Sequence, residues 1–430
     1  MHARWSILCA PNGVSRLCTP RREALTGELR RLGPPADAAE GIARALPEGF
    51  PFVRGSIVAL DYELGEVLEP AVLRGGVHPD RPPARPAMTI ARCEAALVHD
   101  SADDSWFAVG DPDEAARLVG MIDPGRAAEG AAGFALGAPR SLTGRGGFEA
   151  AVARAVALVH AGDCFQVNLA HHLESEFEGS ARAAFLAMLR AAAPPFAAIL
   201  DLEPADMSAH ALLSMSPELF LAADLAPGGA RRVFTRPIKG TRRADREGAA
   251  RRDLLAAPKD AAELAMIIDL MRNDLGRVCD LGSVRVDEPR TVEAAANGAL
   301  LHTVGAVSGR LRDGVGFADL IGATFPPGSV TGAPKVRAMQ VIRELEPRPR
   351  GAYCGAVGFV SDHGPMGLSV AIRTATVGGA PRRLTFPIGA GIVAESDPVA
   401  EWHETLAKAT TLMEVCGAAS GRRAPANAAP

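Results

Sequence analysis

Apolar side chains recur at helical spacing in several parts of the chain. Phe148, Val152 and Val156 lie four residues apart and would form one face of a helix, which we expect to end before Gly162. The same spacing predicts three further helices, over residues 260–275, 334–345 and 398–413. These segments form the predicted helical part of the fold.

The predicted helix over 260–275 has the clearest apolar stripe. Leu264, Ile267, Ile268 and Met271 share one face, which should pack against the core. Glu263 lies one turn before Ile267, close to that face, so its carboxylate is placed to point inward.

Short apolar segments rich in branched side chains alternate irregularly with these helices and predict β-strands. They cover residues 55–62, 95–100, 164–170, 197–202, 213–225, 353–361 and 368–377. The mixture predicts a large α+β fold. The segment from Gly417 to the C-terminus, rich in Gly, Ala and Pro, is predicted to be a disordered tail.

Composition and charge exclude several classes of function. The chain has 48% hydrophobic and 22% charged residues, a formal charge of -4 and no basic stripe for nucleic acid. Its seven cysteines are scattered singly, which fits a reduced compartment better than a disulfide framework. No apolar run approaches the roughly 18 residues of a membrane helix, so we expect a cytoplasmic protein.

Lysine is rare in this sequence. Lysine and arginine total 46, but only Lys239, Lys259, Lys335 and Lys408 are lysines. An amine can lose its proton and attack carbon, whereas a guanidinium group stays protonated. Lys239, in the segment TRPIKGTRR, is therefore a candidate nucleophile, although chance retention explains any single lysine equally simply.

Two predicted helices carry acidic groups. Glu401, Glu404 and Lys408 share one face, which by itself fits an ordinary solvated Glu–Lys pair. Together with Glu263 they could also hold Mg²⁺, which typically takes one or two protein carboxylates. The spacing alone leaves both possibilities open.

A turn precedes the helix predicted over 334–345. Thr331 is a plausible N-cap, and Pro334 suits the first helical turn. The amides of Gly332 and Ala333 could then receive a carboxylate or phosphate, although most helix starts bind nothing.

Two further polar residues lie in apolar surroundings. Arg373 falls inside a predicted strand, where a buried guanidinium group needs an anion from the protein or from a ligand. His302, between two apolar segments, could be a base or a core histidine with satisfied hydrogen bonds.

Taken together, the motifs resemble the chorismate-utilising enzymes, and within them the aminodeoxychorismate branch, most strongly from about residue 140 to 415. The segments that carry the resemblance are GDCFQVNLA, SMSPELF, TRPIKGTRR, AELAMIIDLMRNDLGRV, PGSVTGAPKVRAM, GAVGF, AIRT, GAGIVAES and EWHETLAK. The resemblance implies an intertwined α+β fold with layered sheets flanked by helices. It also implies an N-terminal region over 1–135, a chorismate-binding domain over 136–416 and a tail over 417–430.

The resemblance also assigns the catalytic residues. Isochorismate-forming members have a lysine where this chain has Gln166, and anthranilate-forming members have alanine in place of Lys239. Lys239 is thus implied to attack the ring and expel the C4 hydroxyl, before ammonia displaces it. Glu218 matches the general acid, and His302 is given a supporting role.

Substrate and metal ligands follow from the same resemblance. Glu263 and Glu404 match Mg²⁺ ligands, with Glu401 beside them. The residues matched to substrate carboxylates are Gly332, Ala333, Lys335, Tyr353, Arg373 and Gly391.

The implied partner is a separate glutamine amidotransferase subunit that supplies ammonia, because no cysteine-centred glutaminase signature occurs in the sequence. Three activities remain open: amination of chorismate at C4, an anthranilate or 2-amino-2-deoxyisochorismate synthase component, and a non-catalytic chorismate-binding subunit. A non-catalytic subunit is disfavoured, because the sequence retains four residues matched to catalysis and metal binding: Lys239, Glu218, Glu263 and Glu404.

Overall fold

The structure is a computed structural model. It describes residues 4–11, 13–18, 21–32, 49–84, 87–122, 133–201, 209–226, 229, 231–245, 247–294, 298 and 300–419. The last eleven positions of the predicted tail, 420–430, lie outside the described residues.

In a β-strand, successive side chains point to opposite faces of the sheet. In chain order they are β1 Trp5–Leu8, β2 Gly13–Cys18, β3 Gly55–Leu60, β4 Ala87–Cys93, β5 Ala95–Asp100, β6 Ser105–Gly110, β7 Phe134–Leu136, β8 Arg140–Ser141, β9 Gln166–Gly179, β10 Phe196–Asp201, β11 Ala209–Ser216, β12 Leu219–Asp224, β13 Arg232–Arg236, β14 Ile238–Arg243, β15 Arg285–Ala294, β16 Leu300–Arg310, β17 Gly332–Ala333, β18 Ala356–Ser361, β19 Pro365–Val370, β20 Thr374–Gly378 and β21 Arg383–Ile392.

Helices lie between these strands. They are α1 Arg22–Arg30, α2 Leu64–Leu68, α3 Pro112–Gly120, α4 Arg145–His160, α5 Ala181–Ala192, α6 Ala249–Ala256, α7 Pro258–Gly276, α8 Phe317–Thr324, α9 Lys335–Leu345, α10 Pro398–Lys408 and α11 Thr410–Ala419. Among the described residues, no helix is long and apolar enough to cross a membrane.

The strands form three antiparallel sheets. The smallest has the order β1-β5-β6, and a larger one runs β10-β11-β20-β21-β9-β17, with β7 and β8 also paired to β9. The largest runs β14-β16-β13-β12-β19-β18-β3-β4-β2, with β15 on β16. The predicted α+β fold with layered sheets is therefore confirmed. Strands from both sides of residue 135 share the largest sheet, and the predicted division there stays a prediction.

The main core lies where α4, α7 and α9 pack against the sheets. The predicted stripe on α7, formed by Leu264, Ile267, Ile268 and Met271, is buried in this core. Because one face of α7 is anchored in this way, a residue next to the stripe is held in a defined position. Glu263 is such a residue.

A buried ion pair holds the start of β9. The Arg350 guanidinium group donates to Glu346 Oε1 at 2.6 Å and to the carbonyls of Val330 and Asn168 at 2.9 and 2.6 Å. Glu346 Oε1 also accepts the Ala170 amide at 2.9 Å. A buried pair with its remaining groups hydrogen-bonded keeps a single geometry, so this pair fixes the backbone of β9.

Several local predictions were wrong. The predicted strand over 213–225 is broken between β11 and β12, which belong to different sheets. The N-cap of α9 is Pro334 rather than Thr331, and Gly332–Ala333 pairs with β9 as a strand. The predicted strand over 368–377 is broken between β19 and β20, and Arg373 lies in the break with a φ of 49°. The last helix, α11, extends to Ala419, beyond Gly417 where the tail was expected to begin.

Candidate active site

Lys239 lies on β14, at one edge of the largest sheet, and faces α7. Its Nζ is 3.3 Å from Glu263 Oε2, and the two side chains are only 14% and 12% exposed. The Thr303 hydroxyl on β16 donates to the Lys239 carbonyl and holds the strand at this point. The predicted nucleophile and a predicted metal ligand are thus in direct contact.

Glu218 lies between β11 and β12 and is buried. Burial raises the pKa of its carboxyl to about 7, although the Ser329 hydroxyl, the Lys239 charge and the Ile238 amide favour the carboxylate. Near neutral pH, a large fraction of Glu218 is therefore protonated. The charge of Lys239 acts on this carboxyl, so the candidate acid and the candidate nucleophile share one electrostatic neighbourhood.

Gly391 on β21 leaves room for the Gln166 side chain on β9. A methyl group at Gly391 would overlap Gln166 Nε2 and would lie 3.4 Å from Lys239 Nζ. These two nitrogen atoms therefore both lie close to the position that a side chain at Gly391 would occupy. Gly391 was predicted from the resemblance, and the structure shows which groups its missing side chain accommodates.

Gly389, two residues earlier on β21, also leaves room for polar side chains, farther along the same sheet face. A methyl group there would lie 3.0 Å from Asn168 Oδ1 and 3.1 Å from the Tyr353 hydroxyl. Tyr353 is buried, and burial raises the pKa of its hydroxyl, which therefore stays neutral. Sequence analysis missed Asn168 and Gly389, although the alternation of FQVNL places Asn168 on the same face as Gln166.

His302 lies on β16 opposite Thr241 of β14, whose hydroxyl is 2.9 Å from its Nδ1. Burial lowers the pKa of His302 to about 4, and the nearby positive charge of Arg373 acts in the same direction. A hydrogen bond to the Gly240 backbone has the opposite effect but does not outweigh them. The imidazole is therefore neutral at neutral pH. It is placed to orient its neighbours and not to carry charge.

Arg373 is an incompletely compensated cation. Burial lowers the pKa of its guanidinium group, and no carboxylate among the described residues forms an ion pair with it. A guanidinium group in this environment is stabilised by an anion. Of the two possibilities left open by the sequence, this environment favours a ligand anion.

Glu401 and Glu404 lie on successive turns of α10. Glu401 is buried. Its Oε1 accepts a hydrogen bond from the Ser396 hydroxyl at 2.6 Å and lies 3.9 Å from Lys259 Nζ. Its Oε2 has no hydrogen-bond partner among the described residues. Burial raises the pKa of Glu401. Its second oxygen is thus a buried acceptor without a donor.

Glu404 is half-exposed and pairs with Lys408 at 2.8 Å. Partial burial acts to raise the pKa of Glu404, but the charges of Lys408, Lys259 and Lys239 outweigh it and the pKa lies below its usual value. The carboxylates from α7 and α10 therefore share one positively charged neighbourhood. Within the described residues, no group of three or more acidic, histidine or cysteine side chains is already arranged to hold a metal.

Lys335 and the strand before α9 have different surroundings from those expected. Lys335 Nζ donates to Asp274 Oδ2 at 2.5 Å and to the Thr324 carbonyl at 2.7 Å. Gly332 and Ala333 pair with Val167 and Gln166 of β9, and so do not form the free helix start that was predicted. Their role in binding a substrate carboxylate stays a prediction.

Comparisons with known proteins identify the family of this chain. The family described as chorismate binding enzyme matches residues 22–414. The aminodeoxychorismate synthase component 1 of Klebsiella aerogenes is 40% identical over 371 residues, which span 85% of this chain and 77% of that protein. The anthranilate synthase component 1 of Aquifex aeolicus is 39% identical over 271 residues, which span 62% of this chain and 52% of that protein.

The fold has a close counterpart among solved structures. The crystal structure of anthranilate synthase component I from Streptococcus pneumoniae aligns with a TM-score of 0.78 and 26% identity, covering 96% of this chain and 92% of that one. The resemblance drawn from the motifs is confirmed by the family match over most of the chain and by the aminodeoxychorismate synthase relative. This chain belongs to the family of chorismate binding enzymes.

Proposed function

We propose that this chain aminates chorismate at C4 to give 4-amino-4-deoxychorismate. The observation that carries the proposal is the position of Lys239, 3.3 Å from Glu263, with its charge acting on Glu218, a buried acid with a pKa of about 7. A nucleophile next to a protonated acid suits displacement of a hydroxyl group. The 40% identity to a protein named aminodeoxychorismate synthase component 1 supports the same activity.

The first step uses Lys239 and Glu218. After the Lys239 ammonium group has given a proton to solvent, its lone pair forms a bond to a ring carbon, and the C4–O bond breaks with the ring double bonds shifting. The departing hydroxyl takes the Glu218 proton and leaves as water. Burial raises the pKa of Glu218 and so keeps that proton available near pH 7.

The second step releases the lysine. Ammonia forms a bond to C4, and the electron pair of the carbon–Nζ bond returns to Lys239. The Glu218 carboxylate takes the excess proton from the new amine, which restores the acid. The sum is chorismate plus ammonia giving the amine plus water.

The remaining polar groups would hold the two carboxylates of chorismate. Arg373, without a protein carboxylate of its own, would bind the enolpyruvyl carboxylate with the Tyr353 hydroxyl. Gly389 and Gly391 leave room on this sheet face for the side chains of Gln166, Asn168 and Tyr353. Neutral His302 would support the positions of Arg373 and β14.

The carboxylates of α7 and α10 would hold Mg²⁺. Glu263 and Glu404 would be the ligands, with Glu401 beside them, and the unpartnered Glu401 Oε2 fits a cation-binding role. When bound, Mg²⁺ would neutralise the ring carboxylate of the substrate. Lys239, Lys259 and Lys408 pair with these glutamates in the structure and balance their charge.

The competing activity is anthranilate formation, with the amine at C2. It is favoured by the identity to the Aquifex aeolicus protein and by the likeness to the Streptococcus pneumoniae structure. Incubation with chorismate, Mg²⁺ and ammonium, followed by mass and chromatographic analysis, separates the two. We expect the C4 amine, and an enzyme that releases only anthranilate would contradict the proposal.

We expect this chain to use ammonium but not glutamine when it is alone. A separate glutamine amidotransferase subunit would supply ammonia, in keeping with the component 1 names of the relatives. The measurement compares product formation with glutamine and with high ammonium at equal chorismate. Efficient use of glutamine by the purified chain would rule out the need for a partner.

Glu263→Gln should raise the Mg²⁺ concentration for half-maximal activity by roughly tenfold or more, because a carboxylate ligand is lost. The measurement is a Mg²⁺ titration of activity, with the fold checked by circular dichroism. Asp269→Asn, on an exposed part of the same helix, is the matched control and should leave the titration unchanged. Full turnover in excess chelator would remove the metal from the proposal.

A further inference from the structure

Glu63 is a buried carboxylate that holds a turn far away in the chain. It lies between β3 and α2, and its side chain is 2% exposed. Its Oε1 accepts a hydrogen bond from the Arg350 amide at 2.6 Å, and its Oε2 accepts one from the Gly351 amide at 3.0 Å. Because hydrogen bonds to a charged acceptor are strong, the two oxygens fix two successive amides of this turn.

Neighbouring contacts support the same turn. The Gly351 carbonyl accepts a hydrogen bond from the Tyr62 amide at 2.7 Å. The Arg81 guanidinium group lies 3.1 Å from Glu63 Oε1 and donates to the Arg348 carbonyl at 3.0 Å. Side chains and backbone from the first 135 residues therefore set the position of a turn in the second half of the chain.

The turn leads directly to Tyr353. The Tyr353 amide donates to the Arg350 carbonyl at 3.3 Å, so its backbone is fixed by a residue that Glu63 holds. The Tyr353 hydroxyl lies close to Gly389 on β21, next to Asn168. A shift of the turn would therefore move that hydroxyl within the candidate site.

The segment that follows Tyr353 is paired with the segment that precedes Arg373. The Cys354 amide donates to the Ala371 carbonyl at 2.9 Å, and the Ala371 amide donates to the Gly355 carbonyl at 2.9 Å. Arg373 follows two residues later. Both groups assigned to the enolpyruvyl carboxylate are therefore connected to this turn, the tyrosine directly and the arginine through the backbone pair.

We propose that Glu63 is a positioning residue for the enolpyruvyl carboxylate of chorismate, and that it acts through the turn on Tyr353 and Arg373. This inference rests on the proposed function, which assigns those two side chains to that carboxylate. Glu63 sets where the hydroxyl and the guanidinium group meet the ligand. Because hydrogen bonds weaken steeply outside a narrow range of distance and angle, a small shift of the turn weakens binding of this group.

Glu66 provides a matched control. Its carboxylate is also buried and lies 3.5 Å from the same Arg81 guanidinium group and 3.5 Å from that of Arg343. Within the described part of the chain, the amides of the turn donate to Glu63 and not to Glu66. Glu66→Gln therefore removes a charge from the same ion-pair cluster and leaves the turn in place.

The test measures binding without turnover. Lys239→Ala, which removes the nucleophile, is combined with Glu63→Gln or with Glu66→Gln. The Kd for chorismate is then measured by calorimetry with Mg²⁺ at pH 8. Burial raises the pKa of Glu63 to about 7, so the carboxylate is mostly ionised at this pH.

We expect Glu63→Gln to raise the Kd for chorismate by roughly tenfold or more, because the new amide group turns a donor toward a backbone N–H. Glu66→Gln should change this Kd by less than about twofold. Both variants should lower the Tm, since each leaves Arg81 with one carboxylate fewer. A loss of stability alone therefore does not separate the two variants, whereas the Kd does.

A second ligand identifies which part of the substrate is affected. The compound trans-3,4-dihydroxycyclohexa-1,5-diene-1-carboxylate has the ring and the ring carboxylate of chorismate but lacks the enolpyruvyl group. Its Kd should change by less than about twofold in Glu63→Gln, because it has no group for Tyr353 and Arg373 to hold.

Glu63→Asp provides the test if Glu63→Gln does not fold. Aspartate keeps the charge, but it is shorter by one methylene group and cannot reach both amides of the turn. We expect the Kd for chorismate to rise by roughly threefold or more in this variant, with a smaller loss of Tm.

The outcomes distinguish this inference from the proposed function. An unchanged Kd for chorismate in a folded Glu63 variant would overturn the positioning role alone. An equal rise in Glu66→Gln, or an equal rise for the ligand without the enolpyruvyl group, would also overturn it, since the effect would then be a general distortion. A wild-type enzyme that releases only anthranilate would contradict C4 amination and leave the binding results intact.

Discussion

Lys239→Arg should lower the rate of C4 amination by roughly 10³-fold or more, nearly as much as Lys239→Ala. Arginine preserves the positive charge beside Glu263, but guanidinium is a poor nucleophile at neutral pH. The measurement is product formation from chorismate, Mg²⁺ and ammonium, resolved by mass and chromatography. Ammonia attacking the ring directly could still give an amine at C2, so the variants can change the product as well as the rate.

The control for this prediction is Arg243→Lys, a reciprocal exchange at an exposed position on the same strand. It should leave the rate unchanged. If Lys239 acted only through its charge, arginine would rescue most of the activity. A Lys239→Arg enzyme that makes the C4 amine at close to the wild-type rate would refute the covalent role.

Glu218→Gln should lower the rate by roughly 10²- to 10⁴-fold, because the amide cannot give a proton to the departing hydroxyl. The wild-type rate should also fall as pH rises above about 7, where the Glu218 carboxyl loses its proton. The measurement is the pH dependence of kcat for both enzymes. A descending limb that persists unchanged in Glu218→Gln would assign it to another group. Glu178→Gln, at an exposed position on β9, is the control.

The same substitution should not destabilise the protein. Burial raises the folded-state pKa of Glu218 from 4.5 to about 7, so its stabilising contribution is complete below pH 4.5 and is lost as pH rises through about 7. The total loss for this shift is roughly 3 kcal/mol. The stability of the wild type relative to Glu218→Gln, measured by urea unfolding, should therefore fall between these pH values. Low activity with retained stability would separate a catalytic role from a structural one.

Local patterns determined several of the elements. The period of α7 predicted its buried stripe, and the strand predicted over 95–100 coincides with β5. These predictions succeeded because side chains repeat every 3.6 residues in a helix and every two in a strand. The motifs themselves determined the family, and with it the candidate site.

The break at Arg373 shows where local patterns failed. The apolar segment LSVAIRTATV reads as one strand, but β19 belongs to the largest sheet and β20 to another. The chain must change sheets between them, and Arg373 adopts a φ of 49° at that point. No periodicity in the sequence records which sheet a strand joins.

The partners of three of the four lysines could not be predicted from the sequence. Rarity singled out these residues, but only the tertiary structure pairs Lys239 with Glu263, Lys259 with Glu401, and Lys335 with Asp274. The pair of Lys408 with Glu404 could be predicted from the sequence, because the two residues are four positions apart on one helix. The other three depend on which strands and helices meet.

The sequence by itself thus determined several of the elements, the family and the identity of the candidate nucleophile and acid. Tertiary structure decided that Gln166 and Lys239 meet near Gly391 and that Arg373 forms no ion pair with a carboxylate of the described residues. The raised pKa of Glu218 was also decided there, because burial depends on the sheets and on residues such as Ser329 that lie far away in the chain. Periodicity is a short-range property of the backbone, whereas contact and desolvation depend on elements brought together by the order of strands in the sheets.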